Sequence, residues 1–348
     1  MLAFGYKQAT TELKADSLQA VNMSNPVPAG RDILVAVEAI SVNPVDTKIR
    51  KSVEPAADTF KVLGWDAVGV VKEVGNSVSL FKPGDRVFYA GDISRQGSNA
   101  EYQLVDERIV GRAPTSLSNA EAAALPLTSL TAWELLFSRL QVPTDSSGEG
   151  KILLVVGAAG GVGSILVQLA RRLTSLTVVG TASRGETKQW VKDKGAHYVI
   201  DHNHPLDEQL KKQGIEKVDF VASLTHTDVH FEACVNALAA QGRFGLIDDP
   251  GAIDIALLKR KSISLHWEFM YTRSLFNTND MQEQHDILCR IADMVDEGQL
   301  TTTVGKNLGE INVENLLKAH QILESNRAMG KLVLEGFNRD QSPVQPKG

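Results

Sequence analysis

The chemistry in this chain is most legible where an apolar run, residues 152–156, breaks into Gly157-Ala158-Ala159-Gly160-Gly161-Val162-Gly163. Apolar residues then recur at 165, 166, 169, 170 and 173, which is helical spacing. A strand that stops at a glycine turn and feeds a helix builds a dinucleotide-phosphate site. Gly160 has no side chain to block a pyrophosphate, Gly163 lets the helix pack tightly on the strand, and the helix N-terminus offers free N–H groups and a positive dipole. Ala158 stands where the simplest G-x-G-x-x-G pattern has its first glycine, so the strand–turn–helix context carries the reading.

The second strand of such a unit, 176–180, sets which dinucleotide fits. NAD sites place Asp or Glu about 20 residues past the glycines, on the ribose 2′-hydroxyl. Here that stretch is Thr181-Ala182-Ser183-Arg184, with no carboxylate. Ser183 offers a hydroxyl and Arg184 a planar cation for a 2′-phosphate, and Lys188 one turn later adds charge. Arg184 and Lys188 could equally be solvated residues at a helix start; the missing acid selects NADPH.

The elements around these residues fall into two patterns. Residues 1–125 carry short strands near 33–40, 67–71 and 86–89, separated by turn signals such as Gly75-Asn76 and Pro83-Gly84-Asp85. From 126 to 270, strands near 152–156, 176–180, 197–201, 218–223, 243–247 and 262–267 alternate with helical segments, the pattern of an α/β doubly wound parallel sheet. Amphipathic segments at 280–297 and 312–325 and a strand at 330–334 follow, so residues 271–338 are expected to complete the first domain. Residues 339–348 read as a disordered tail.

The 348 residues are 43% hydrophobic and 22% charged with a net charge of −6, which suits two soluble domains and argues against nucleic acid or an anionic membrane as partner. There is no run of 18 apolar residues and no charged-then-apolar leader. Cys234 and Cys289 cannot make a disulfide framework. A cytoplasmic location is expected.

Together, Asn43-Pro44-Val45-Asp46, Gly64-Trp65-Asp66-Ala67-Val68-Gly69, Lys82-Pro83-Gly84-Asp85-Arg86-Val87, Ala124-Leu125-Pro126-Leu127-Thr128, the glycine turn and Gly330-Lys331-Leu332-Val333-Leu334 span nearly the whole chain. In this order they resemble the medium-chain dehydrogenase/reductase superfamily, in its quinone oxidoreductase-like branch, and the bacterial zinc-type alcohol dehydrogenase-like proteins within it. The resemblance implies a GroES-like β-rich catalytic domain and a Rossmann domain. It also implies NADPH-dependent hydride transfer to a quinone or other activated carbonyl or enone, and a homodimer, for which strand 262–267 could pair across a two-fold axis. Zinc-dependent relatives supply a Cys and then a Gly-His-Glu sequence; Asn43 and Gly64-Trp65-Asp66 stand there instead, so no metal is expected.

The resemblance points to Asn43, Asp46, Lys48 and Trp65 as the catalytic region. Asn43 would orient cofactor or substrate, though Asn before Pro is also an ordinary turn former. Asp46 would hold the loop or start a helix, Lys48 would meet an oxyanion or simply water, and Trp65 would flatten a pocket or pack in a core. For the cofactor, Thr131 resembles the hydroxyl near the phosphates, and His202 stands beside the adenosine ribose. Ser223-Leu224-Thr225 and Leu246-Ile247 end two parallel strands, where nicotinamide would lie. Asn326, Gly330 and Lys331 resemble a late cofactor contact. Two other readings stay open: a zinc alcohol dehydrogenase, and a non-catalytic NADPH-binding sensor.

Overall fold

The computed structural model describes residues 1–337; the expected tail, 339–348, lies outside them. In chain order the strands are β1 (Leu2–Tyr6), β2 (Gln19–Asn22), β3 (Asp32–Val42), β4 (Lys61–Val62), β5 (Ala67–Val74), β6 (Arg86–Tyr89), β7 (Tyr102–Asp106) and β8 (Val110–Arg112). These are followed by β9 (Ile152–Val156), β10 (Thr177–Thr181), β11 (Tyr198–Ile200), β12 (Val218–Ser223), β13 (Leu238–Leu246), β14 (Ser264–Trp267), β15 (Val304–Asn307) and β16 (Lys331–Glu335). The described residues divide into two units, 1–127 with 271–337, and 128–270.

The first unit is organised by β3, which pairs with β5, β7 and β16 and buries Ile33, Val35, Val37, Ala39 and Ile40. Its sheet runs β15-β16-β3-β5-β6-β8. Strand β3 ends at Val42, just before Asn43 and Pro44. A residue before proline is held extended, and proline is pre-set for a first helical turn, so helix Pro44–Ser52 starts there. The return of the C-terminal strand, β16 on β3, carries Lys331 to the end of β3. A second small sheet, β2-β1-β4, has no counterpart in the sequence reading; strands of two to five residues give too little alternation to register.

The second unit holds a six-stranded parallel sheet in the order β11-β10-β9-β12-β13-β14. Counted from β9 this is 3-2-1-4-5-6, the doubly wound dinucleotide-binding order, with its switch point between β9 and β12. Two strands differ from the expected bounds. β13 starts at Leu238 and not 243, since Leu238-Ala239-Ala240 looks helical in isolation, whereas Gln241 takes a left-handed φ of 65° and the strand resumes. β14 starts at Ser264 and not 262, because Ser262 takes a left-handed φ of 49° to close the 3-10 turn Ile255–Lys261. Among the described residues no helix is long and apolar enough to cross a membrane.

Candidate active site

In the second unit the glycine turn lies at the carboxyl end of β9 and leads into helix Gly161–Leu173. Gly157 has a φ of +81°, which side chains rarely adopt. A Cβ at Gly163 would sit 2.5 Å from the Gly157 carbonyl oxygen and 2.6 Å from Ala158 backbone, so this glycine is demanded by packing alone. At Gly160 a Cβ would meet only the Gly157 oxygen, at 3.4 Å. That near-open space, over N–H groups that a helix leaves without intrahelical partners, fits a pyrophosphate. Ala158 is fully buried, and a Cβ at residue 180 would come within 2.9 Å of its methyl; Gly180 makes the room that a first glycine at 158 would otherwise provide.

Ser183 and Arg184 follow β10, half-exposed, with Arg184 at the start of helix Gly185–Asp193. Arg184 contacts the exposed Glu186 at 3.3 Å. Lys188 differs from its expected role as spare charge: its Nζ lies 2.8 Å from Asp201, just past β11. Ser183 and Arg184 therefore carry the 2′-phosphate reading. His202 adjoins this edge with its ring 5.9 Å from that of His230, and burial holds both imidazoles below the usual histidine range.

At the switch point, Leu224 N–H donates to the Val156 carbonyl (3.1 Å), and Ser223 Oγ lies 2.7 Å from Thr227 Oγ1. Thr225 faces Gly157, and Leu246-Ile247 end the adjacent strand. Thr131 is buried on helix Pro126–Trp133.

In the first unit a buried ionic cluster occupies the end of β3. Lys331, 3% exposed, places its ammonium 2.9 Å from Asp66 Oδ2 and donates to Asn43 Oδ1 and to the Val42 carbonyl (3.4 Å). Asn43 Nδ2 donates to the same Asp66 oxygen at 2.8 Å, and the Leu127 N–H donates to the other at 2.8 Å. Burial still raises the Asp66 carboxyl above its usual range, with Lys331 the largest opposing influence. The Asn43 N–H donates to Asp46 Oδ2 at 2.8 Å. Asp46 is fully buried; burial, with Asp66 beside it, pushes its carboxyl up to about 7 against the pull of the Asn43 and Gly64 N–H groups and of Lys331.

These placements settle where the expected residues lie. Trp65 is fully buried, with Nε1 donating to the Asp92 carbonyl at 3.2 Å, so the indole packs in the core. Lys48 is exposed on helix Pro44–Ser52. Asn326 and Gly330 take left-handed φ values of 56° and 58° in the loop before β16. Lys331 was expected as a cofactor contact; its ammonium is instead committed to Asn43 and Asp66. Two residues were not among the expected site residues. Asp66 is the hub of the cluster, and Tyr271 is a buried phenol held well above its usual range by burial and by Asp46, Asp66 and Asp92. The available signal for the cluster was a lysine opening the apolar strand Lys331-Leu332-Val333-Leu334, because a lysine there must find a buried partner.

A catalytic zinc asks for Cys, His or carboxylate ligands around an open tetrahedral position. Here the amide and the carboxylate are satisfied by each other and by an ammonium, so the residues do not fit the metal. Among the described residues no group of three or more His, Cys, Asp or Glu is placed to hold one.

Comparison with known proteins agrees with this architecture. Residues 29–115 match the alcohol dehydrogenase GroES-like domain and residues 194–334 the zinc-binding dehydrogenase family. A zinc-type alcohol dehydrogenase-like protein of Staphylococcus epidermidis is 41% identical over 96% of this chain and 99% of its own. The quinone oxidoreductase of Lama guanicoe is 30% identical over 89% of this chain and 90% of its own. A crystal structure from Rhizobium etli CFN 42, described as of zinc-dependent alcohol dehydrogenase type, superposes with a TM-score of 0.94 at 54% identity, covering 97% of this chain and 98% of that one.

Proposed function

Because the chain belongs to the medium-chain dehydrogenase/reductase superfamily, as a zinc-type alcohol dehydrogenase-like member, we propose that it is an NADPH-dependent oxidoreductase acting on a quinone or other activated carbonyl or enone without catalytic zinc. The observation that carries this reading is the Lys331–Asp66–Asn43 cluster: where zinc relatives have ligands, this chain has a closed ion pair. The quinone oxidoreductase relative supports the substrate class.

Bound NADPH would supply the hydride. Gly157 to Gly163 would hold its pyrophosphate through backbone N–H groups, with Thr131 beside the phosphates. Ser183 and Arg184 would take the 2′-phosphate, with His202 near the ribose. The strand ends 223–225 and 246–247 would flank the nicotinamide. In the other unit, Asp46 and Asp66 would act as positioning residues, fixing the Asn43 loop through its N–H and its amide. The exposed Trp267 and Phe269, at the β14 edge, suit pairing with a second copy.

The test follows NADPH consumption with 9,10-phenanthrenequinone, with NADH and a chelator in parallel. Chelator-insensitive turnover that prefers NADPH supports the proposal. Turnover lost with the chelator overturns the zinc-free reading, and equal use of NADH overturns the 2′-phosphate assignment. NADPH binding without turnover on any quinone or enone favours a sensor.

A further inference from the structure

The second unit gathers three histidines at the edge of the parallel sheet that carries Ser183 and Arg184. β10 and β11 pair in register through Thr181 and Ile200, and the Ala182 N–H donates to the Ile200 carbonyl at 2.9 Å. Two residues further on, Ser183 and His202 follow these adjacent strand ends. The His202 ring lies edge-on to that of His230, with centroids 5.9 Å apart. His230 belongs to helix Thr227–Ala237. His226 caps that helix with a left-handed φ of 49°, its Nδ1 2.8 Å from Thr225 Oγ1. The three rings do not converge as metal ligands.

His202 and His230 are half-buried and His226 is exposed. The adjacent carboxylate is committed elsewhere: Asp201 accepts from Lys188 Nζ at 2.8 Å with one oxygen and from the Asn203 N–H at 3.0 Å with the other. Burial is the main influence on both half-buried rings and keeps them below the usual histidine range. Around His202, Asp201 opposes burial while His226 and Lys188 add to it. Around His230, His202 and His226 add to it and the exposed Asp228 opposes. Glu208 and Lys212, from the helix Leu206–Lys212 that follows, line a recess with His204 that His202 does not border.

We propose, building on the 2′-phosphate reading of Ser183 and Arg184, that His202 is a specificity-determining residue that takes up a proton as NADPH binds. A neutral imidazole tolerates half-burial, whereas an imidazolium there needs an opposite charge, and a phosphate dianion supplies one. The proton comes from water and settles on a ring nitrogen, which then donates to a phosphate oxygen. Two charged rings at this separation would repel, so the cluster takes up about one proton and not one for each ring. NADH carries a hydroxyl in place of that phosphate and brings no such charge. His202 therefore strengthens NADPH binding near neutral pH and withdraws in alkali, while Arg184 keeps its charge throughout.

The sign of the pH dependence follows. The ring is neutral in the free protein and charged in the complex, so NADPH affinity falls as pH rises. The fall is up to about tenfold per pH unit between the free and the bound imidazole values, as one proton requires. The 2′-phosphate adds little slope of its own above neutrality, since a phosphate monoester loses its second proton near about pH 6.

The experiment titrates the full-length chain with NADPH and with NADH by calorimetry at about pH 7.5, in buffers of different ionisation heat, and follows NADPH affinity from about pH 7 to 9. Uptake of roughly half to one proton is expected with NADPH and almost none with NADH. His202→Gln should remove both the uptake and the pH slope, with Arg184 preserving a preference for NADPH. His202→Arg, charged at every pH used, should hold NADPH affinity high in alkali with no uptake. Uptake absent from the native chain, equal for NADH, or unchanged in His202→Gln would each overturn the assignment. If that variant does not fold, the NADPH and NADH titrations of the native chain decide alone. Equal affinity for the two dinucleotides overturns the 2′-phosphate reading and the role of His202 together. A preference for NADPH without proton uptake overturns the role of His202 only.

Discussion

Replacing Lys331 by Met tests whether the cluster at the end of β3 holds this unit together. Met has a comparable length and no donor. The change removes a charge-assisted contact to Asp66 at 2.9 Å and leaves Asn43 Oδ1 and the Val42 carbonyl without that donor. A hydrogen bond to a charged group contributes about 1.5–3 kcal/mol, and each abandoned acceptor adds roughly 1. The sum, about 3–5 kcal/mol, matches the usual cost of breaking one side of a buried pair. For a unit of this size it corresponds to a melting point lowered by roughly 6–20 °C.

The penalty must also depend on pH. Asp66 is already raised by burial, and losing Lys331, its largest opposing influence, raises it further. A carboxyl raised in the folded state stabilises that state while protonated, and the benefit fades as pH rises through its folded value. The variant should therefore be least impaired near pH 5 and most impaired near pH 8. Thermal melts at both pH values measure this, with Asp66→Asn/Lys331→Met as the second arm, expected to recover most of the loss at pH 8. A penalty below about 1 kcal/mol at pH 8, or one independent of pH, would refute the argument that an uncompensated buried charge is the cost.

Other outcomes follow from the same geometry. Arg184→Ala should weaken NADPH about 10- to 100-fold and NADH hardly at all, measured by fluorescence titration, since in the proposed site only the 2′-phosphate would meet the guanidinium. Gly160→Ala should fold normally yet lose dinucleotide affinity, whereas Gly163→Ala should lower the melting point as well, because its Cβ meets backbone at 2.5 Å. Asp46, raised to about 7, stabilises the fold fully below about pH 4 and loses that contribution as pH rises through 7. Urea midpoints of Asp46→Asn at pH 5 and 8 should accordingly differ much less than those of the parent chain.

The dinucleotide half of this protein was written locally. The strand at 152–156, the glycine turn and the amphipathic helix after it are adjacent in sequence, so spacing alone carried the reading. The absence of a carboxylate between 181 and 184 is equally local. What sequence could not weigh was Asp201, which the parallel sheet brings to within 2.8 Å of Lys188 and so withdraws that lysine from the 2′-phosphate reading. Nor could it show that Gly180 compensates Ala158, a contact between β10 and the glycine turn.

The first unit depended far more on tertiary structure. Asn43 and Asp46 were visible as a turn and a helix start, and the missing zinc ligands were visible as residue types. That Lys331 enters the cluster, 288 residues from Asn43, follows only from β16 pairing with β3. Burial then decides the chemistry: it turns an ordinary-looking Asp46 into a carboxyl near 7 and Trp65 into core. Sequence by itself determined which groups the chain possesses and which sit on one local element; the sheets determined which groups meet and which lose water, because both depend on contacts between segments that no local spacing encodes.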